Sequence, residues 1–326
     1  MKPAFGTILG SALAAGVAAA ALAGSAAATG SAPVPGKPAG ASGLRVVATI
    51  EVPGAPSGMV MAAGSLWVSL GVDGIARIDP ATNEIVARIQ PGGVSLAAGF
   101  GSIWAVDIFA DLLLRIDPET NRITDRIPVG GLPTGIAIGH GSVWVANQLD
   151  STVSRVSPET GRTVATIQLD RGGIWPDAIA ATPGAIWAVA GDGNVVDRIR
   201  PETSTVDLRI PLRGARALTV ALGSVWVGIA NSASLLRIRD GQAVRIAVPG
   251  HRADGLGPQL AGGNALWLAV PGRVARVRPA NGDKLGIRFP AGHYLSAIVA
   301  GGDVWVADQT AERIVRLTVA NPGRIP

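Results

Sequence analysis

Two histidines offer the most obvious chemistry in this chain. His251 and His293 lie in stretches that repeat nowhere else, and with Asp254 and Asp308 they supply the nitrogen and carboxylate donors that a divalent metal ion takes. Such a centre would suit a metal-dependent lyase or lactone hydrolase, although the donors come from scattered segments with no ligand spacing. Other routes to catalysis lack their residues. There is no cysteine, hence no disulfide, thiolate nucleophile or thiolate metal site, and no H-E-x-x-H, G-x-S-x-G or P-loop phrase occurs. GDGN at 191–194 has half of a calcium loop without the downstream acid, and reads as a turn. Trp175, in RGGIWPDA with Asp177 close by, is instead a rigid aromatic of the kind that anchors a partner. Arg213, Arg216, Arg252, Tyr294, Asp107 and Asn147 occupy similar non-repeating positions and complete the candidate ligand-binding set.

What must position these residues is a repeat. The phrase GSLWV at 64–68 returns as GSIWA, GSVWV, GAIWA, GSVWV, NALWL and GDVWV, with tryptophans at 67, 104, 144, 187, 226, 267 and 305. Their separations of 37, 40, 43, 39, 41 and 38 residues, in a chain of short β-branched runs, are those of propeller blades. An arginine follows each tryptophan after 9 to 11 residues (Arg77, Arg115, Arg155, Arg198, Arg237, Arg276 and Arg316). A hairpin between the two runs would place each guanidinium over its indole. A pair present in every repeat is scaffold rather than site.

The first repeat predicts an inner strand near 58–63, a tryptophan strand over 65–70, an arginine strand over 74–79 and an outer strand over 84–90. Turns such as PATN at 80–83 and PETN at 118–121 join the last two, and Asp240-Gly241 replaces them in the fifth repeat. The seventh repeat stops after RIVRLTV at 313–319, while RVVATIE at 45–51 matches the end of a repeat that has no beginning. The N-terminal strand is therefore expected to complete the last blade and remove its open edge.

The phrase GSVWVAN followed by SRVSPETGRTVATI, best seen over 141–167, resembles the YVTN and YncE-like seven-bladed β-propellers of bacteria. The resemblance covers 45–319 and implies an all-β propeller of seven four-stranded blades. It says little of activity, since NHL-repeat proteins, the gluconolactonase group and virginiamycin B lyase share the shape. The lyase's G-P-D-G-x-L-W-F-T-E type of phrase is missing, so none of its catalytic residues carries over.

Residues 1–28 read as a cleaved secretory signal peptide, with an uncleaved anchor as the alternative, and 29–43 as a flexible Pro/Gly/Ser-rich linker. The propeller takes 44–319 and a tail 320–326. The formal charge of +5 comes mostly from dispersed arginines, which argues against nucleic acid as a partner. A blade's outer-to-inner loops and the loops between its second and third strands open on one face, and these are the loops that vary. Acids collect there in blades two to four and seven, with Arg213, Arg216, Arg252 and Arg273 between, so a mixed-charge ligand is expected. The expectation is thus a secreted or periplasmic monomer that binds a protein, peptide or cell-envelope ligand without a cofactor. The metal-dependent lyase or hydrolase is the alternative.

Overall fold

In blades one, two, three, five and seven the inner strand turns into the tryptophan strand through a two-residue reversal whose backbone few side chains tolerate. Ala63 and Gly64 have φ of 47° and 70°, and His140 and Gly141 have 52° and 67°. Two successive left-handed residues make the type I′ turn whose twist matches the strands it joins, which is why glycine holds the second position. The strand that follows is apolar on both sides, and in blades two and three (Ser102–Asp107 and Ser142–Asn147) every residue of it is buried. It can be so only between two neighbouring sheets.

The computed structural model describes residues 44–169, 178–190, 194–232, 234–248, 259–262, 265–270, 273–277, 284–288 and 295–319. They form seven antiparallel four-stranded sheets, in each of which the strands lie in chain order from the inside out, apart from the one closed by the N-terminus. Blade one comprises Met59–Ala62, Ser65–Ser69, Ile75–Asp79 and Glu84–Ile89. Blade three comprises Pro133–Gly139, Ser142–Asn147, Thr152–Ser157 and Arg162–Gln168, and blade five Ala215–Ala221, Ser224–Ile229, Ser234–Arg239 and Gln242–Ala247. In blade seven the strands Leu295–Ala300, Asp303–Asp308 and Arg313–Val319 are completed by Leu44–Glu51, which pairs from Leu44 with Val319 to Glu51 with Arg313. The inner strands touch their neighbours all the way round, blade seven meeting blade one, so the sheets form a closed ring. The expected seven-bladed propeller and its closure by the N-terminal strand are both present.

The core lies between the blades. Buried apolar side chains gather in one cluster per blade interface, and each cluster takes its tryptophan from the earlier blade: Trp67 packs with Leu96, Ile103 and Leu114 of blade two, Trp144 with Ile179 and Ile186 of blade four. In every blade the tryptophan pairs directly across the hairpin with its arginine, from Trp67 with Arg77 to Trp305 with Arg316. The guanidinium carbons of Arg77, Arg115, Arg155, Arg198 and Arg316 stand 4.7–5.8 Å from the indole centres.

The arginines also reach across. Arg155 Nε donates to Ser142 Oγ (2.9 Å), while its Nη1 donates to Pro201 O (2.7 Å) and Ser204 Oγ (3.1 Å) in the turn of the next blade. Arg77 does the same toward Pro118, Arg115 toward Pro158 and, across the ring seam, Arg316 toward Pro80. The Pro-x-Thr turn is therefore an acceptor for the preceding blade as well as a reversal. Blade four departs from this: Ala185 stands where the serine would be, and the next blade has Asp240-Gly241 instead of a proline turn. With both acceptors gone, Arg198 turns to Asp207 of its own blade through two bonds of 2.9 Å.

Candidate functional site

The two ends of the ring differ in how their charges are spent. On the Pro-x-Thr end, Asp117 Oδ1 accepts from the amides of Glu119 (2.7 Å) and Thr120. The bond from the Glu119 amide, more than any other influence, holds this carboxyl below the ordinary carboxylate range. Arg77, Arg115, Arg155 and Arg316 donate to the proline turns of the same end.

On the opposite end, three candidate residues share one position, three after the tryptophan. Asp107 Oδ1 accepts from the amides of Phe109 (3.0 Å) and Ala110 (3.1 Å) and so shapes its own loop. Asp308, fully buried, accepts from Ala311 N (3.3 Å) and from Arg313 Nε (3.1 Å). Asn147, also fully buried, donates through Nδ2 to Thr152 Oγ1 and Ser154 Oγ at 2.9 Å each, and its Oδ1 has no partner among the described residues. Acids nearby bind backbone too: Asp111 accepts from Leu132 N (2.8 Å) and Asp150 from Gly131 N (2.6 Å). The four acids thus hold strand ends and loops, because a buried or turning backbone leaves amides that need an acceptor.

Other side chains of this end stand largely in solvent. Val72, Phe109 and Leu149 are 56%, 69% and 57% exposed, and all three stand five residues after a tryptophan, at the tips of equivalent loops in blades one, two and three. In the later blades that position carries Asp192, Asn231, Gly272 and Thr310. Three consecutive apolar tips therefore mark one sector of the rim. The sequence reading missed them, although counting from the tryptophans would have found them.

Blade five carries the counterpart. A cavity of about 450 Å³ is lined by Arg213, Gly214, Arg216, Asn231, Ser232 and Arg245 among others, with Ile229 in its wall and no acid among the described residues. The structure thus brings the candidates Arg213 and Arg216 together and adds Arg245, which the sequence analysis did not select. It keeps this cluster apart from Asp107, Asn147 and Asp308, which belong to blades two, three and seven. Trp175, Asp177, His251, Arg252, Asp254, His293 and Tyr294 lie outside the described residues. Among the described residues, no three His, Asp or Glu side chains converge as a metal site, and no helix is long and apolar enough to cross a membrane.

No family model and no curated protein matches the chain. Among solved structures, it is similar to hydrazine synthase from Kuenenia stuttgartiensis, with a TM-score of 0.70 at 15% identity over 87% of this chain and 98% of that one. It is also similar to the computationally designed Ika8 protein, with a TM-score of 0.62 at 12% identity over 83% of this chain and 99% of that one. At such identities the likeness is one of fold alone.

Proposed function

We propose that the protein is a secreted or periplasmic binding propeller of the YVTN and YncE-like kind, which takes a protein, peptide or cell-envelope ligand on the face opposite the Pro-x-Thr turns. The observation that carries the reading is the row of exposed apolar tips Val72, Phe109 and Leu149 on adjacent blades. A large apolar side chain held in water at a loop tip contributes nothing to folding, and rigid loops on a closed scaffold are where recognition residues sit. The charged groups support the same face. Its acids organise the loops, Arg213, Arg216 and Arg245 have no ion pair among the described residues, and the opposite face repeats one turn almost verbatim.

The propeller serves as bait against the envelope fraction and the culture medium of its source, in three forms: unaltered, Phe109→Ser with Leu149→Ser, and Glu119→Ala on the opposite face. A partner held by the first and third forms and lost at least about tenfold by the second supports the assignment, since removing two interface anchors costs about 1–2 kcal/mol or more. A partner that survives the serine pair and is lost with Glu119→Ala would place recognition on the wrong end of the ring.

A further inference from the structure

The cavity on blade five holds three positive charges and, among the described residues, no acid that balances them. Arg213 lies on the loop that enters the blade, Arg216 on its inner strand and Arg245 on its outer strand, and none of the three has an ion pair among the described residues. Each side chain brings a planar guanidinium fork that donates to an anion and accepts from nothing. Grouped like charges repel unless an anion joins them.

The backbone sets these side chains deliberately. Arg216 is the extra residue of a bulge: Ala215 pairs with Ile229 and Ala217 with Gly228, leaving Arg216 between them without a partner position. Bulges re-aim a side chain, and this one carries the sole charged residue on any inner strand among those described. Gly214 (φ 82°) and Asn231 (φ 53°) both adopt left-handed backbone, and Ala230 N donates to Gly214 O (2.7 Å), tying the two loops of the cavity together. Arg245 stands opposite Leu236, which packs into the interface with blade four, so the arginine lies on that same side of the sheet. The three groups come from three separate backbone segments and face one space.

We infer that this cavity binds the phosphoryl group of a small soluble phosphorylated ligand. A phosphomonoester carries about 1.5–2 negative charges, a diphosphate more, and both accept paired bonds from planar guanidinium forks, whereas a single carboxylate would leave most of the charge unmatched. A volume of about 450 Å³ is that of a small-molecule site, and the buried Ile229 gives the non-ionic part of the ligand an apolar wall. The inference rests on the reading of this end of the ring as the binding face, and names what one part of it takes.

Inorganic pyrophosphate, titrated calorimetrically into the purified propeller, is the probe, first at low ionic strength and then near 0.15 M salt. Saturable one-to-one binding is expected, weakened about tenfold or more by Arg216→Gln and by Arg245→Gln, because each removes a charge-assisted bond. Arg245 is exposed on an outer strand, so its variant folds even if the bulge proves sensitive to Arg216→Gln. Arg88→Gln removes the same charge from the exposed outer strand of blade one and should change affinity by less than about twofold. Absence of saturable binding, or equal weakening by Arg88→Gln, overturns the site. Retention on phosphatidic acid vesicles without a response to pyrophosphate overturns the soluble ligand in favour of a membrane headgroup. If pyrophosphate fails while Phe109→Ser with Leu149→Ser still abolishes capture, only this subsite falls. If pyrophosphate binds and capture ignores the apolar tips, the partner assignment falls instead.

Discussion

At the scale of single residues, the repeated arginine does more than cover an indole. Arg155 lies 5.1 Å from the Trp144 ring centre, and its Nε and Nη1 join the turn of its own blade to the turn of the next. Lysine would keep the charge over the ring and lose the fork. Arg155→Lys is therefore expected to destabilise by about 1–3 kcal/mol through lost charge-assisted bonds. Trp144→Ala, a large-to-small change at a fully buried interface, should cost about 3–5 kcal/mol. Urea unfolding midpoints measure both. An Arg155→Lys protein as stable as the unaltered one would show that the inter-blade bonds contribute nothing and the ring contact is all that matters.

At the scale of the element, the outer strands of blades one to four slip by one residue just past the arginine, where Val86, Thr124, Val164 and Asp207 are in excess. Blade five, whose turn is the two-residue Asp240-Gly241, shows no slip. In blade four the extra residue is functional for the fold: Asp207 binds Arg198 and also accepts from Arg200 Nε at 2.6 Å. The bond from Arg198, and then that from Arg200, holds the Asp207 carboxyl below its ordinary value despite partial burial. A carboxylate so lowered adds stability that is complete above its unfolded value of about 3.9 and is lost as the pH falls through the folded one. The stability gap between the unaltered protein and Asp207→Asn should thus be constant above about pH 5 and close below about pH 4. Unfolding curves over that range test it, and a gap that persists unchanged into strong acid would mean the pair acts through packing rather than charge.

At the scale of the whole molecule, the ring is closed by the strand Leu44–Glu51, whose buried Leu44 and Ile50 enter the interfaces on either side of blade seven. Val52, buried as well, donates its amide to Glu312 O at 2.8 Å. A chain beginning at residue 44 should melt with the longer one. Beginning at 53 instead removes three buried apolar side chains and an entire ladder, and should lower the melting temperature by at least about 5 °C. The uncovered edge of Arg313–Val319 should also promote self-association, visible by light scattering. Equal melting of the two truncated chains would show that closure comes from the inner strands alone.

The sequence by itself determined the seven blades, the Trp–Arg pairs and the strand that closes the ring, because each depends on a local pattern that recurs: an αL-compatible turn, a run apolar on both sides, an arginine at a hairpin's distance. Tertiary structure alone decided where the arginine's remaining donors go, since Pro201 is 46 residues from Arg155 and only the docking of blades makes them neighbours. It likewise decided which polar groups of the variable face are occupied. Asp107, Asp308 and Asn147 have the residue types of a binding site, yet they bind the chain's own amides and side chains. Arg245 is an ordinary outer-strand residue in the sequence, and only the folded blade makes it line one cavity with Arg213 and Arg216. A residue's type shows what it can bind. Whether a partner within the chain already holds it depends on segments far away, and that is settled only when the blades pack.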